Sequence, residues 1–591
     1  MSYATERAAL SRTPCTMVTV KLTECSEVNG VAPCTATATC NNTYSTCKDL
    51  DNFNNVTVPY NFVSAEVPFE RKQVSFIRST SAGEDRVTSD GETRIVGEYP
   101  NARPYVQSVT PMPTEIKPGE LTIKGRETIE FADDEETDGS YWKKLLARNP
   151  HWKGRTVERY EGFIDSGITE FEMRWAGKID NIKLDKGKIK FQLVDLLQDM
   201  DKLETPPKVS VTLSSAATNS ATTISIDSTI DISAAGYGLI DDEIIQWTGL
   251  NETQYQLTGV TRGKFNTTAA THKDGVKFSL VAVYGGNPFD ILEGMLTDAQ
   301  DITTDNPPGA EIDAARVDSA AFSYWRDWPA TDINFQGVIT EPTKLGDLFF
   351  EIVSLLDCMV WQDENQKITI RRNVPNEPDR TYTTITDDAN IIAESTKVDL
   401  NDESRNTRIV LYWDKRAGFD DEEVDSYRRI DVTVDAGAEG ADQYNEIQEE
   451  KIWCRWITTD YIQEEVATKY VTNLIRRRLF DRVDAHAIID YSVELKDEGV
   501  QTGDHVQLTT DELLLPDGSV LDAETFRIWK RNPKGNKIAY RAWRVMPNKF
   551  CFIAPNDTPV YGNATPAQKE YGYICRDDGR IDNDNAGYHI W

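Results

Sequence analysis

Polar and apolar residues alternate with a period of two through most of this chain, and helical spacing is confined to a few stretches. Residues 104–130 alternate around a Pro118-Gly119 turn, and 158–200 repeat the theme. There Tyr160–Ile164, Phe171–Ile179 and Lys188–Val194 read as strands, the last following an Asp185-Lys186-Gly187 turn. Such alternation, bounded by turn residues, is the signature of hairpins. Asp195–Met200 reads as a short helix that closes the unit. At Thr205-Pro206-Pro207-Lys208, read as a linker, the composition shifts to a Ser/Thr/Ala-rich stretch, 209–280, with short strands at 223–226, 243–247 and 255–257. Gly285-Gly286 reads as a turn. Helical spacing then predicts a helix over 288–296 and another over 343–357, whose apolar face is Leu345, Leu348, Phe349, Ile352, Leu355 and Leu356. A hairpin follows over 359–371, strands over 386–415, and a long helix over 462–480 with Val466, Tyr470, Leu474 and Ile475 on one face. Arg476, Arg477 and Arg478 stand at its C-terminal end, where cations suit the helix dipole. Residues 485–554 return to strand. The expected class is mainly β with some α (α+β), multidomain, built of several small β-barrels or sandwiches with a few helices. The expected divisions are a Cys-rich segment 1–60, a β-rich unit 61–205, a small all-β insertion 206–285, an α+β unit 286–385, a β-rich unit with the long helix 386–550, and a C-terminal segment 551–591.

The 591 residues allow roughly four domains at ~150 residues each. A net charge of −33 argues against a broad nucleic-acid-binding surface, because phosphate would be repelled. The acidic runs 133–136 and 420–423 read as solvated loops, and the tail 577–585 as an exposed turn, since it lacks the order of a calcium-binding loop. No stretch of eighteen apolar residues offers a membrane span, and the N-terminus has no apolar signal core. Synthesis in a cytoplasm that keeps thiols reduced is the expectation.

Against that background one cluster bears chemistry. Cys25, Cys34, Cys40 and Cys47 lie in polar, Asn/Thr/Gly-rich sequence that favours loops, and loops can bring four thiolates to one point. Thiolate is the ligand that zinc and iron–sulfur clusters prefer. Two disulfides and four unlinked thiols are the competing readings, and no Cys-x2-Cys or Cys-x4-Cys pair marks a zinc finger. The five histidines, 151, 272, 486, 505 and 589, show no metal or catalytic spacing. No nucleophile elbow, Walker loop or zinc-protease motif occurs, so the chain is not expected to be an enzyme. His505 is expected to follow a β-turn. Trp453-Cys454-Arg455-Trp456 reads as core or interface, and Cys358, Cys454, Cys551 and Cys575 as buried small apolar residues.

The quartet, followed by Asn52-Phe53-Asn54, resembles the iron–sulfur module of lambda-type tail-tip proteins of long, flexible-tailed (siphovirus-type) bacteriophages. The gap between its two cysteine pairs is shorter than in the lambda type. Tyr141-Trp-Lys-Lys-Leu-Leu-Ala-Arg-Asn-Pro150 with Gly154-Arg155 is similar to a signature of tail-hub proteins. Thr261-Arg262-Gly263 through His272 resembles their insertion domain, 286–550 their hub portion, and Phe552–Asn556 through Ala564–Gln568 their C-terminal segment. The resemblance implies a structural virion protein at the tail tip or baseplate, made in the host cytoplasm. It implies a homotrimeric hub that joins the tail tube and distal tail proteins to a central fibre or spike. Such a hub closes the tube around the tape-measure protein until DNA passes, and an acidic lining would let DNA pass without sticking. It also implies a [4Fe–4S] cluster on Cys25, Cys34, Cys40 and Cys47, with zinc as the alternative, held as a structural staple. The readings from other classes are a secreted or surface adhesive β-protein with two N-terminal disulfides and a tail-associated cell-wall hydrolase.

Overall fold

In the computed structural model the described residues are 13–38, 40–65, 75–77, 95–97, 102–110, 114–115, 126–133, 141–164, 170–185, 187–298, 308–327, 333–363, 365–373, 382–400, 405–417, 419, 422–440, 445–483, 487–497, 499–514, 518–534, 537–545, 573–574 and 588–589. The architecture is mainly β, in several sheets, with few helices.

A seven-stranded antiparallel sheet opens the chain. Its strands are β1 (Pro14–Cys25), β2 (Asn55–Val63), β3 (Val106–Thr110), β4 (Arg126–Ala132), β5 (Thr156–Phe163), β6 (Glu172–Asp185) and β7 (Lys188–Val194), in the order β2-β1-β5-β6-β7-β4-β3. Helix α1 (Tyr141–Arg148) lies between β4 and β5, and its fully buried Trp142 stacks on Phe62 with ring centroids 4.7 Å apart. The predicted 195–200 helix is a 3-10 helix, Leu196–Lys202. The predicted linker begins inside a short strand, since Glu204–Thr205 pairs with Thr343–Lys344.

The Ser/Thr-rich stretch forms its own sheet from β8 (Val211–Thr212), β9 (Gly236–Ile240), β10 (Glu243–Trp247), β11 (Thr261–Lys264) and β12 (Lys277–Gly286), around a core that includes Trp247 and Phe278. Gly285-Gly286 is not a turn but the end of β12. These two residues pair with Gln336 and Phe335 of β13 (Phe335–Ile339), and Asn287 then caps the next helix. A turn there would leave the backbone of β13 unpaired, which the sheet avoids.

The largest core gathers α2 (Pro288–Thr297), α3 (Ser319–Arg326), α4 (Leu345–Leu355), the hairpin β14 (Cys358–Gln362) and β15 (Ile368–Arg372), and the inner face of a three-stranded sheet. That sheet, β16 (Arg408–Lys415), β17 (Tyr427–Val434) and β18 (Glu449–Trp453), has β16 at its centre. Helix α5 (Glu464–Arg482) buries Ala467, Val471, Ile475, Arg478 and Leu479, whereas Val466 is exposed and Tyr470 and Leu474 are only partly buried. The inward face is therefore rotated from the predicted one. Arg478 can turn inward because Glu450 accepts from its guanidinium. The last large sheet includes β19 (Ala487–Glu494), β20 (His505–Leu514), β21 (Val520–Lys534) and β22 (Lys537–Arg544) around Phe526, Ile528 and Tyr540. Thr114–Glu115 reaches across the chain to pair with β21.

Candidate functional site

The cysteine segment is the loop between two paired strands. Cys25 is the last residue of β1, opposite Asn55 at the start of β2, so it sits on a strand rather than in a loop. Cys34 and Cys40 lie in the loop itself, and Cys47 caps a 3-10 turn, Tyr44–Thr46. Hydrogen bonds tether the loop in two places. The Cys25 N–H donates to Asn42 O at 2.6 Å, which brings the Cys25 and Cys40 segments together. Thr35 N–H donates to Asp49 Oδ2 at 2.6 Å, and Thr35 Oγ1 to the same oxygen at 2.9 Å, which ties the Cys34 segment to the Cys47 segment. These bonds hold the Asp49 carboxyl below its ordinary range. All four thiols are unpaired and half-buried. Four thiols, one at the end of β1 and three along the tethered loop that follows, are a donor set of the kind zinc or an iron–sulfur cluster takes. Among the described residues, however, no three His, Cys, Asp or Glu side chains are gathered into a group that could hold a metal.

The other cysteines behave differently. Cys358 and Cys454 are fully buried, and burial pushes both thiols up to about 12, which leaves them as unreactive core residues. Cys551 and Cys575 lie outside the described residues, as do His486, the 552–568 segment, the tail 577–585 and, from the acidic runs, 134–136 and 420–421. Asp133 is buried against the Trp142 N–H instead of forming part of a solvated loop, while Glu422 and Glu423 are exposed.

The Arg262–His272 segment makes a constellation that spacing alone did not reveal. Glu243, 1% exposed, accepts from Arg262 Nε at 2.7 Å and Nη2 at 2.6 Å, from the N–H groups of Gly263 and Ala270, and meets His272 Nε2 at 2.8 Å. Burial opposes ionisation of this carboxylate, but these donors outweigh it and hold the group at about 2. Asp241, which is exposed, meets the other ring nitrogen of His272 at 2.8 Å. Every acceptor site of Glu243 is spent on holding two loops together, so the constellation is a staple and not a base awaiting a substrate. The sequence signal was the Arg-Gly turn and the histidine, but Glu243 lies on a neighbouring strand.

His505 opens β20, is buried, and has Nε2 facing the Arg527 guanidinium at 3.0 Å. Burial and that cation hold its pKa well below the ordinary value. In Trp453-Cys454-Arg455-Trp456, Cys454 and Trp456 are core, and Trp453 stacks on Tyr412 at 4.1 Å.

The outer face of the β16–β18 sheet carries an apolar strip, bordered on the same face by Arg408, Glu449 and Lys451. On β17, Ile430, Val432 and Val434 are 48%, 55% and 42% exposed. Cross-strand register places Ile430 beside Tyr412 and Val432 beside Val410, and Tyr412 beside Trp453. The opposite face, Ile409, Leu411 and Trp413, is fully buried. No helix among the described residues is long and apolar enough to cross a membrane.

No protein-family model matches the chain, and no curated protein does. Several solved structures align with parts of it. A chain from the virion of a native gene transfer agent particle aligns at 16% identity and a TM-score of 0.25, over 38% of this chain and 43% of that one. The chain thus spans less than half the length of that match. The 43 kDa tail protein of prophage MuSo2 from Shewanella oneidensis aligns at 10% identity and a TM-score of 0.33, over 74% and 94%. A tail protein from Neisseria meningitidis MC58 aligns at 9% identity and a TM-score of 0.33, over 74% and 93%. The superpositions are loose at these scores, and the functional reading rests on the chain's own residues.

Proposed function

We propose that this chain is a structural protein of the tail tip or baseplate of a siphovirus-type phage, and that copies of it form a trimeric hub. In this reading the hub joins the tail tube to a central fibre or spike and keeps the tube closed around the tape-measure protein until DNA leaves. The observation that carries it is the apolar face of the β16–β18 sheet. Its buried side already fills the largest core, so its exposed side is free to meet another chain. Contiguous apolar surface of this kind marks interaction sites in soluble proteins. The ordered motifs support the same reading: the quartet, the Tyr141–Pro150 segment that becomes α1, and the Arg262–His272 staple.

Within that role Cys25, Cys34, Cys40 and Cys47 hold a [4Fe–4S] cluster, or zinc, as a staple. A bound metal would add cross-links to a loop that lacks a core of its own, since binding energy at such a site is folding energy.

Antibody labelling of phage particles tests the assignment. Gold-labelled antibody against this chain is expected at the tail end distal to the capsid. Label spread along the tail or over the capsid, or none on intact particles, would overturn it.

A further inference from the structure

The sheet β17-β16-β18 has two outer strands, and among the described residues no further strand pairs with either. Its ladders show which backbone groups are left over. Asp435 N–H donates to Thr407 O at 3.0 Å, one step beyond the Arg408–Val434 pair. Antiparallel bonds recur at every second residue, so β17 bonds to β16 through Arg429, Asp431 and Thr433. The N–H and C=O groups of Ile430, Val432 and Val434 therefore point along the free edge. On the other side, Arg408 N–H donates to Gln448 O at 3.1 Å and Cys454 N–H to Tyr412 O at 2.8 Å. A parallel ladder with those ends turns the N–H and C=O groups of Glu449, Lys451 and Trp453 outward. Each edge thus presents three residues at a spacing of two, with no backbone partner among the described residues. Strand β17 carries neither proline nor lysine, and its outward residues are exposed and apolar. An edge without such guards is a template for another strand.

We propose that the β17 edge of one copy pairs, antiparallel, with the β18 edge of the next, and that this pairing closes the trimer. The proposal rests on the trimeric-hub reading above and names its joint. The sheet itself points to a second copy as the occupant. A rotational ring needs two different surfaces on each copy that fit one another. Strand β17 runs against β16 and β18 runs with it. In copies turned about an axis along the strands, β18 therefore runs opposite to the β17 it meets. Trp453 then faces Ile430 of the next copy, Lys451 faces Val432 and Glu449 faces Val434, with about six hydrogen bonds at two per facing pair. This register sets an aromatic ring beside a β-branched side chain, a favourable cross-strand pair. It also makes the apolar strips of neighbouring copies continuous.

Light scattering on the full chain, on Val432→Pro and on Lys451→Pro tests it. Each proline removes one outward N–H, puts ring carbons where the incoming strand would lie, and leaves the bonds to β16 in place. The parent is expected at the mass of three copies. Each variant alone is expected at one copy with a cooperative melt. Their equimolar mixture is expected at two copies, because each keeps the edge that the other has lost. Hydrogen exchange on the parent gives a reading without substitution. The amides of Ile430, Val432, Lys451 and Trp453 are expected to be protected in the assembled protein and to lose that protection on dilution to single copies. Assembly of Lys451→Pro alone with none of Val432→Pro would show β17 pairing with itself and overturns the proposal, as does a mixture that stays at one copy. Three copies in both variants, or unprotected amides in the assembled parent, overturns it while leaving the trimer on another joint. A parent at one copy overturns the trimer together with this joint.

Discussion

Single residues carry buried charges whose partners the sequence does not name. Glu127 is fully buried on β4, with Oε1 3.0 Å from Arg159 Nε, while Arg159 also holds Glu161 at 2.6 Å. Alternation along β4 puts Glu127 on the same inward face as Ile129 and Phe131, but nothing in the local pattern shows which cation meets it there. Burial raises its carboxyl to about 7 despite the attraction of Arg159, which is shared with Glu161. The sign of the linkage follows. An acid whose folded pKa lies above its unfolded value costs nothing while protonated in both states. Its cost grows as pH rises from the ordinary value of 4.5 to about 7. Glu127→Gln removes that cost, which reaches about 3 kcal/mol at most, from a 1.36 kcal/mol equivalence per pKa unit. Thermal melts of parent and variant are expected to converge near pH 4.5, with the parent falling progressively below the variant up to pH 7.5. A difference that stays constant with pH would show that Glu127 does not titrate in this range. The inward position of such a charge is legible from the alternation, but its partner, here Arg159 on a separate strand, comes from tertiary contact and is not.

Elements were more legible than residues. The helices over 288–296 and 343–357 and the hairpin over 359–371 appear close to their predicted places because their local patterns agree with their burial. Helix α5 was also legible, but its inward face was not, because Arg478 is paired and the large apolar Val466 is left outside. The cysteine segment shows the limit most clearly. Its composition identified a loop, yet Cys25 belongs to a strand whose register is set by residues 55–63. The Cys25–Asn42 and Thr35–Asp49 tethers tie together the segments that carry the four thiols, without gathering the thiols into one group. Under the proposed cluster, protein purified without oxygen is expected to contain iron with matching acid-labile sulfide. Cys25→Ser and Cys40→Ser are each expected to lose both and to melt at a lower temperature. Zinc without sulfide would replace the cluster by a simple metal staple. Absence of any metal, with the thiols found in two disulfides, would remove the metal centre and restore the adhesive-protein reading.

At the scale of the whole molecule, the sheets depend on chain segments far apart in sequence. Thr114–Glu115 pairs with β21, and Glu204–Thr205 pairs with Thr343–Lys344, contacts that no local pattern announces. The same long-range folding leaves the β17 face uncovered among the described residues. Strands β16 and β17 share their two faces through the register, with even-numbered residues outward on both. Ile409, Leu411 and Trp413 point inward, while Ile430, Val432 and Val434 stand on the outside beside Val410 and Tyr412. Polar residues at 430, 432 and 434 would serve solubility equally well, so three exposed β-branched residues in register argue for a covering surface. At roughly 25 cal/mol per Å² of apolar area removed from water, a stable contact needs such residues at its centre. Light scattering on the purified chain is expected to give the mass of three copies. The double variant Ile430→Asp, Val432→Asp is expected to give the mass of one copy that still unfolds cooperatively, because both side chains are exposed in the isolated fold, at a melting temperature lowered only by the lost association. Carboxylates would be desolvated at the contact, which costs several kcal/mol per ion and is enough to dissociate a micromolar assembly. A parent that is already a single copy would remove the contact between copies, and a variant that remains trimeric would place it on another surface.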